Sequence, residues 1–462
     1  MRNDTIAARA TPRGSSALAV LRVSGPEAVE IVGRLFVPAE RLRALRGHAC
    51  VVGELRDGDD AVDRVVVTRF RAPHSYTGEE LIEISCHGGD VVANRIQALL
   101  CRPGAARSAQ PGEFTQRAFL NGKLDLAQAE AVEALIAARS TAAARAALRV
   151  LRGGLRRALE PVTTGLIEQL AQLEAGLDIQ EDGAPDVLAP ARGEEGALRA
   201  AARRLERLLA VGERGRLLED GVRIVIAGRP NAGKSSIFNA LLARERAIVS
   251  PEAGTTRDTV EATVEWGGQH CVLVDTAGIG AATGAIEREG IARTREAMAA
   301  ATLVLYVADV QTCPPAQLAG ELATTALAPP QLIVAWHKWD RRPEDVTAAP
   351  ALTLRDRAVA TIASSVRGAP GIDPLRLLLE ARVGELTVAE GETVLVGARQ
   401  RELLRASHER LMAALDAETA GAGAEIVALE VRAALTAIGE LLGQRVGPQV
   451  LERIFARFCV GK

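Results

Sequence analysis

The sequence has few aromatic residues and lacks the cysteine pattern of a disulfide scaffold or a zinc site. Aromatic side chains make up 3% of the 462 residues while hydrophobic residues make up 48%, so the cores must be largely aliphatic. The six cysteines are scattered without paired spacing, as in a reduced intracellular protein. No apolar run approaches membrane-spanning length, and the polar first residues do not resemble a secretory signal. These absences predict a cytoplasmic protein that does not bind a membrane.

An excess of charge of one sign is also absent. The formal net charge is −2, so the chain has no overall basic field that would attract nucleic acid. Any such contact must come from a local patch or a partner. The run 139–157 holds six arginines and no acidic residue. On a helix, one stripe would be formed by Arg145, Arg149, Arg152 and Arg156. The stripe would either contact nucleic-acid phosphates or be an ordinary solvated face.

Composition and periodicity divide the chain into four segments. Residues 1–120 mix strand-like runs with Gly and Pro, which predicts an α+β domain, whereas residues 121–218 have helical periodicity. In residues 219–382, apolar strands alternate with helices, which is typical of βαβ units on a mostly parallel sheet. Helical composition returns in residues 383–462. We therefore predict a multidomain protein with an N-terminal α+β domain and a discontinuous helical domain, into which a Ras-like α/β domain is inserted.

The most specific motif is a phosphate-binding loop. The run GRPNAGKSS at 228–236 matches G-x-x-x-x-G-K-[ST] and lies between an apolar strand, Val222–Ala227, and a predicted helix, Ser236–Leu242. Backbone N–H groups of such a loop, together with the helix N-terminus, bind phosphate. We expect Lys234 to reach the outer phosphates and Ser235 to bind Mg²⁺. The other predicted nucleotide contacts in the loop are Asn231, Ala232, Gly233 and Ser236.

Two further motifs follow in the order that GTP-hydrolysing proteins use. The run from Gly254 through Thr255 to Asp258 lies in a polar loop, where Thr256 is the candidate to close on Mg²⁺ and the γ-phosphate. The second motif ends a hydrophobic strand, so its aspartate would lie near Mg²⁺ and its glycine N–H near the γ-phosphate. Its residues are Asp275, Thr276, Ala277 and Gly278.

Guanine recognition is predicted from the run His337-Lys338-Trp339-Asp340. GTPases read guanine with an Asn-Lys-x-Asp strand end, whose carboxylate accepts from the ring N1–H and the exocyclic amine. Lys338 and Asp340 fit this pattern, but His337 replaces the usual Asn. The later base loop, with Ser364 as the candidate contact, is also irregular. We predict guanine binding with reduced affinity or selectivity, and an ATP-binding protein is the alternative that His337 leaves open.

The sequence lacks the glutamine with which small GTPases orient the attacking water, because Ile279 follows Gly278. Glu287 and Glu289 are nearby carboxylates that could hold the water, although both could equally be solvated acids of a first helical turn. No residue identifies itself as an arginine finger. Asn231 could instead offer an oxygen to a monovalent cation, as could Ser250.

These features resemble the bacterial MnmE (TrmE) family of tRNA modification GTPases. Similar motifs occur outside the P-loop region, so the resemblance covers essentially the whole chain and is more specific than a phosphate-binding loop alone. They are DTIAARATPRG (4–14), LRVSG (21–25), SYTGEELIEISCHGG (75–89), PGEFTQRAFLNGKLDLAQAEA (111–131) and FCVGK (458–462).

The resemblance implies an N-terminal domain that forms a homodimer and binds a tetrahydrofolate derivative of the 5-formyl or methylene type. The family's folate contacts fall on Arg22, Glu83 and Lys123, and the terminal Lys462 also matches. Arg22 and Lys123 could pair with the glutamate tail and Glu83 with the pterin edge, unless they are ordinary surface charges. Cys459 fits the family's C-terminal Cys-x-Gly-Lys, which implies a reactive thiol, with a structural thiol as the alternative.

Within the G domain, the resemblance selects Glu287 over Glu289 as the catalytic acid. Family members are activated when two G domains meet across K⁺, which accounts for the absent arginine finger and glutamine. The implied K⁺ ligands are Asn231, Ser250, the backbone near Glu252, and Thr255.

The resemblance implies an enzyme that works with an FAD-dependent flavoprotein of the MnmG type. Together they would install an aminomethyl or carboxymethylaminomethyl group at carbon 5 of wobble uridine in certain tRNAs. GTP hydrolysis would drive the opening and closing of the G domains. The alternative from another class is a switch GTPase that binds RNA or the ribosome as an assembly factor, although no dedicated RNA-binding segment follows the G domain.

Overall fold

The computed structural model describes residues 4–181, 196–244, 260–276, 296–323, 328, 331–386, 397–444 and 446–462. Contacts within the chain divide it into two compact units. The first unit joins the N-terminal segment to most of both helical segments and comprises Met1–Ile136, Ala147–Leu209 and Gly397–Lys462. The second unit comprises Ala137–Ala146 and Ala210–Val396.

The first unit contains a mixed sheet. Its strands are β1 (Ile6–Arg9), β2 (Leu18–Ser24), β3 (Phe36–Val37), β4 (Ala49–Asp57), β5 (Asp60–Phe70), β6 (Leu81–His87) and β7 (Arg107–Ser108). Their order is β3-β4-β5-β6-β2-β1-β7, and all neighbours are antiparallel except β1 and β7. This sheet is the α+β architecture that the sequence predicts for the N-terminal segment.

Side chains alternate between the two faces of β2 and β6. Leu21 and Ile84 belong to the apolar core of this sheet. Arg22 and Glu83 are paired in register across the two strands, so both point to the face opposite Leu21 and Ile84. The strand period therefore places an arginine and a glutamate side by side, away from the core.

The α-helices with defined bounds are distributed over both units. Among the described residues, none is both long and apolar enough to cross a membrane. The helices are α1 (Ala28–Leu35), α2 (Ala39–Arg43), α3 (Asp90–Leu100), α4 (Glu113–Leu120), α5 (Leu126–Ala137), α6 (Thr141–Leu151), α7 (Gly154–Glu181), α8 (Ala197–Asp220), α9 (Lys234–Arg244), α10 (Pro315–Ala323), α11 (Asp373–Leu386), α12 (Ala398–Thr419), α13 (Ala424–Leu441) and α14 (Pro448–Phe455).

The C-terminal tail is anchored against the N-terminal sheet of the first unit. Phe455 and Phe458 pack in one apolar cluster with Leu126 of α5. Gly461 has φ +98°, and a Cβ built on it would lie 2.4 Å from the carbonyl oxygen of Arg9. Only glycine fits so close an approach in that backbone conformation. This contact fixes the terminal Lys462 beside strands β1 and β2.

The predicted arginine stripe is wrong as a single helix face. Helix α6 carries Arg145 and Arg149 and ends at Leu151, and α7 begins after a turn. Gly153 lies in that turn with φ +79°, the left-handed conformation that commonly ends a helix. Arg156 lies in α7 and forms a 2.9 Å ion pair with the buried Asp125. The run is basic, but its arginines do not share the periodicity of one helix.

The sheet of the second unit is mainly parallel. Its strands are β8 (Val222–Gly228), β9 (Val260–Trp266), β10 (Gln269–Asp275), β11 (Leu303–Asp309), β12 (Leu332–His337), β13 (Leu352–Leu354) and β14 (Arg357–Ala363). The order is β13-β14-β12-β11-β8-β10-β9, with antiparallel pairing only between β9 and β10 and between β13 and β14.

Both faces of this sheet are covered. Ile224 and Ile226 of β8 belong to one apolar cluster, while Val225 and Ala227 belong to another on the opposite face. Strands that are buried on both faces have continuous apolar sequences, which is why they can be predicted from the sequence. In such sheets, ligands bind beyond the carboxyl ends of the strands, where the phosphate-binding loop follows β8. The predicted Ras-like α/β P-loop domain within a multidomain protein is confirmed.

Candidate nucleotide site

The phosphate-binding loop turns sharply between β8 and α9. Gly228 has φ +146°, and a Cβ there would lie 2.3 Å from the carbonyl oxygen of Val307, so the position requires glycine. Asn231 and Gly233 also have positive φ, at +59° and +104°. Asn tolerates the left-handed region better than most residues, which suits the exposed Asn231. These conformations lead the chain from the strand into the helix N-terminus over a short loop.

Lys234 lies inside this loop and is buried. Its Nζ donates to the carbonyl oxygens of Gly228 at 3.0 Å and Arg229 at 2.8 Å. Burial lowers the pKa of Lys234, and the nearby Asp275 carboxylate opposes that shift. A bound phosphate would give this ammonium a charged acceptor in place of two neutral ones, which strengthens the hydrogen bonds.

The end of β10 brings a carboxylate to the same edge of the sheet. Asp275 is buried and pairs in register with Ile226 of β8. Thr276 fixes the chain after the strand, because its Oγ1 donates to the carbonyl oxygen of Ile226 at 2.7 Å. Ser235, in the first turn of α9, is exposed. A carboxylate and a hydroxyl are oxygen ligands of the kind that Mg²⁺ prefers.

Lys338 links three parts of the second unit. It has φ +57° and follows β12. Its Nζ donates to Asp309 Oδ2, at the end of β11, at 2.7 Å and to the carbonyl oxygen of Asn231 in the phosphate-binding loop at 2.8 Å. The lysine therefore ties the strand ends that would hold a base to the loop that would hold the phosphates.

Asp340 is oriented by a hydroxyl that the sequence analysis did not single out. Ser365 Oγ donates to Asp340 Oδ1 at 2.5 Å, and this hydrogen bond lowers the pKa of Asp340 below its usual value. The carboxylate is therefore ionised at neutral pH and acts only as an acceptor. The predicted Ser364, by contrast, contacts His337. The signal that could have found Ser365 is its position directly after Ser364.

His337 lies under the phosphate-binding loop and is buried. Its Nδ1 is 3.1 Å from Ser364 Oγ. Burial lowers the pKa of His337, and the Lys338 ammonium lowers it further. The imidazole is therefore neutral at pH 7, with one ring nitrogen as donor and the other as acceptor.

The described residues thus bring together many of the predicted nucleotide contacts at one edge of the sheet. These are Asn231, Ala232, Gly233, Lys234, Ser235, Ser236, Asp275, Thr276, His337, Lys338, Asp340 and Ser364. The other predicted site residues lie outside the described residues: Ser250, Glu252, Gly254, Thr255, Thr256, Ala277, Gly278 and Glu287. Ile279 and Glu289 lie outside the described residues too.

A second cluster of predicted residues lies in the first unit. The Arg22 guanidinium donates to Glu83 Oε1 from Nε at 3.0 Å and from Nη2 at 2.7 Å, and its Nη1 donates to the carbonyl oxygen of Gly461 at 3.2 Å. Its central carbon lies 5.3 Å from the ring centroid of Tyr76 and 5.6 Å from that of Phe114. The Arg22 guanidinium therefore lies beside a carboxylate and two aromatic rings.

The C-terminal tail adds a further cation to this cluster. Burial and the nearby Arg22 lower the pKa of Lys462, while Glu83 opposes the shift. The Cys459 thiol is free and exposed in the same tail. Lys123 donates from Nζ to the carbonyl oxygen of Pro73 at 3.0 Å, in the loop that also carries Tyr76. Local sequence motifs do not indicate this cluster, since Arg22 and Gly461 are 439 residues apart.

A phosphate-binding loop after β8, an aspartate at the end of β10 and a Lys-x-Asp run after β12 define the class of P-loop GTPases. Residues 5–123 match the family described as GTP-binding protein TrmE N-terminus, and residues 126–459 match the MnmE helical domain. The chain belongs to the MnmE family of tRNA modification GTPases, and the predicted family membership is confirmed. It is a GTP-hydrolysing enzyme, as predicted.

Relatives match along their whole length. The tRNA modification GTPase MnmE of Moorella thermoacetica is 40% identical over 100% of both chains, and that of Chloroflexus aurantiacus is 41% identical over 100% of both chains. Among solved structures, the G domain of the T. maritima FeoB iron transporter covers 36% of this chain and 98% of its own, at 22% identity and a TM-score of 0.24. A likeness this low carries no conclusion.

Proposed function

We propose that this chain hydrolyses GTP in the modification of wobble uridine in tRNA, as a cytoplasmic homodimer with a flavoprotein of the MnmG type. The observation that supports this most is the presence of two sites in one chain. The contacts around Lys234 and Asp340 suit GTP, and a separate cluster around Arg22 and Glu83 suits a flat, anionic ligand. An assembly factor that only switches with GTP would have no use for the second cluster.

In the proposed nucleotide complex, Lys234 exchanges the carbonyl oxygens of its own loop for the β- and γ-phosphates. Asp340 accepts from the guanine N1–H and exocyclic amine. Mg²⁺ would be held by Ser235 and Thr256, with Asp275 nearby, and would neutralise phosphate charge. Ser235 is exposed at the N-terminus of α9, where a phosphate-bound cation is reachable.

Hydrolysis requires a water that attacks the γ-phosphorus and breaks its bond to the bridging oxygen, giving GDP and phosphate. We assign the orientation of this water to Glu287, because Ile279 has no hydrogen-bonding side chain. K⁺ would be held by Asn231, Ser250, the backbone near Glu252, and Thr255, and would supply positive charge where no arginine finger is evident. The exposed side chain of Asn231 supports that assignment.

The cluster around Arg22 fits a tetrahydrofolate derivative in its donor set. Tyr76 and Phe114 offer aromatic faces, Glu83 accepts from the N–H groups of a pterin beside Arg22, and Lys462 is a cation for a carboxylate tail. Because Arg22 and Glu83 hydrogen-bond each other, we propose that they contact the same part of the ligand. Lys123 would then contact another part. The folate would supply the one-carbon unit for the uridine.

The remaining partners follow from the proposed reaction. We assign the redox chemistry of the carbon unit to a flavoprotein, because a flavin can transfer a hydride. The basic run 139–157 is a proposed contact for tRNA phosphates. Cys459, exposed beside the proposed folate site, stays a proposed reactive thiol.

A complementation experiment tests this function. In a bacterium that lacks its own MnmE, we expect the wild-type chain to restore the modification of wobble uridine, measured by mass spectrometry of digested tRNA. Lys234→Ala, Glu287→Ala and Arg22→Ala should each fail to restore it. Full restoration by Arg22→Ala would remove the folate assignment. A wild type that hydrolyses GTP but never restores the nucleoside would favour the assembly-factor alternative.

A further inference from the structure

His337 connects the loop that would hold the phosphates to the loop that would hold the base. One edge of its ring faces the phosphate-binding loop: a Cβ built on Gly233 would lie 2.4 Å from His337 Cδ2 and 2.8 Å from Nε2. The other edge places Nδ1 3.1 Å from Ser364 Oγ. Ser364 directly precedes Ser365, whose hydroxyl holds Asp340. The imidazole thus lies between Gly233, which precedes Lys234, and the residues that orient the base-reading carboxylate.

The backbone around the ring leaves it little freedom. The Val310 N–H donates to the carbonyl oxygen of His337 at 3.2 Å, the Ser364 N–H to that of Trp336 at 2.9 Å, and the Trp339 N–H to that of Ser364 at 3.1 Å. His337 itself is 3% exposed. Because the segments after β11 and β14 are both hydrogen-bonded to the end of β12, the ring has little room to move away from Gly233 or Ser364.

We propose that His337 is a positioning residue for the nucleotide, and that its neutral imidazole is required for tight binding, so that binding weakens with protonation. An asparagine at the same position carries no such dependence, because its amide does not titrate. The inference rests on the proposed binding of the base at this strand end.

The charges around the ring support the requirement for the neutral form. Lys338 lies next to it and Lys234 follows Gly233, so protonation would add a third positive charge to a buried region. Two carboxylates also act on the ring, but Asp309 is engaged by Lys338 and Asp340 by Ser365. In addition, both nitrogens of a protonated ring are donors, so Nδ1 could no longer accept from the Ser364 hydroxyl.

The lowered pKa of His337 determines the direction in which pH changes nucleotide binding. Burial holds the pKa of His337 below the ordinary histidine value of about 6.5. Binding is therefore unaffected above about pH 6.5 and is lost as the pH falls through the pKa of the free protein. If only the neutral form binds, the Kd of the wild type rises about ten-fold for each pH unit below that pKa.

The test is a titration of the full chain with a fluorescent GDP analogue, from pH 5 to pH 8, on wild type and His337→Asn. Titration of the nucleotide phosphates affects both proteins equally, so the ratio of the two Kd values isolates the histidine. We expect the ratio of wild-type to variant Kd to rise as the pH falls. A ratio that is independent of pH overturns the proposal.

His270→Asn is a matched control in the same unit. His270 is also buried, also has a pKa lowered by burial, and lies at the other end of β10, away from the phosphate-binding loop. This variant should keep the wild-type pH profile of binding. If its profile also becomes flat, acid destabilisation of the unit is the cause and the proposal is overturned.

Two experimental outcomes distinguish a failure of the proposed role of His337 from a failure of the proposed nucleotide site. If the wild type binds the GDP analogue at no pH, the proposed site fails, and the inference fails with it. If His337→Asn does not fold, as judged by circular dichroism, Ser364→Ala is the second variant. The Ser364 hydroxyl can donate to Nδ1 only when the ring is neutral, so its removal should move the midpoint of the pH profile to higher pH, and an unmoved midpoint overturns the proposal.

Discussion

The hydroxyl of Ser365 lies 2.5 Å from Asp340 Oδ1 and holds the carboxylate that we expect to read guanine. The backbone N–H groups of Arg367 and Gly368 donate to the same hydroxyl oxygen, at 3.3 and 3.1 Å. Because the single hydroxyl proton is committed to Asp340, the carboxylate is fixed by a short chain of hydrogen bonds. An ionised carboxylate accepts from the N1–H of guanine, whereas the N1 of adenine is itself an acceptor. This relationship favours guanine over adenine.

Asp340→Asn should therefore change the base that is bound. The amide loses a charged acceptor, which costs about 1.5 to 3 kcal/mol, or roughly ten- to a hundred-fold in GTP affinity. Xanthosine triphosphate, whose C2 oxygen can accept from the new amide, should bind better than to the wild type. Competition against a fluorescent GDP analogue measures both effects, and an unaltered preference for GTP would rule out this role. Ser365→Ala should cost less, about 0.5 to 1.5 kcal/mol.

Gly233→Ala should prevent nucleotide binding. The added Cβ would lie 2.4 Å from His337 Cδ2, in a backbone at φ +104° that L-residues rarely adopt. Gly267→Ala is the control. Gly267 also has a positive φ, at +57°, but a Cβ built there would have no atom within 4 Å. We expect Gly267→Ala to bind as the wild type does, and Gly233→Ala to lose affinity by more than about a hundred-fold while its circular dichroism is retained. Equal affinities would show that the contact with His337 does not shape the loop.

Arg22→Ala should weaken folate binding without changing GTP turnover in the absence of folate. Loss of a hydrogen bond to a charged group costs about 1.5 to 3 kcal/mol, so an affinity loss of about ten-fold or more is expected by isothermal titration calorimetry. The ion pair of Arg69 and Glu80 is a matched control, since its side chains are 13% and 22% exposed against 13% and 26% for Arg22 and Glu83. Arg69→Ala should leave folate binding intact. Similar losses in both variants would point to general destabilisation instead.

Lys462→Gln should lower the affinity for folates that carry a glutamate tail more than for a pterin without one. The expectation follows from the position of Lys462 close to Arg22 and Glu83, where its ammonium can reach an anionic tail. Arg453→Gln removes the same charge from an exposed site on α14 and should have no effect. If both ligands lose affinity equally in Lys462→Gln, the lysine does not act on the tail.

Motifs in continuous sequence predicted much of the nucleotide site, but they predicted few of the contacts between residues that are distant in the sequence. The phosphate-binding loop and the strand end at Asp275 follow from motifs in continuous sequence, and both lie at the carboxyl edge of the sheet. Ser365 was missed because a base-binding loop has no periodicity to mark it. The contact of Arg22 with Gly461 joins opposite ends of the chain, and only the folded tail brings them together. The arginine stripe was wrong because helical periodicity was carried across Gly153.

We propose that GTP hydrolysis by this chain depends on a monovalent cation. The direct measurement is GTP turnover by the full chain in KCl and in NaCl at equal ionic strength, with Asn231→Ala alongside. An arginine finger is worth about 10³ to 10⁵ in rate, so a cation in its place should give the wild type at least about ten-fold faster turnover in K⁺. Asn231→Ala should lose this response. Equal wild-type rates in the two salts would overturn this dependence on K⁺.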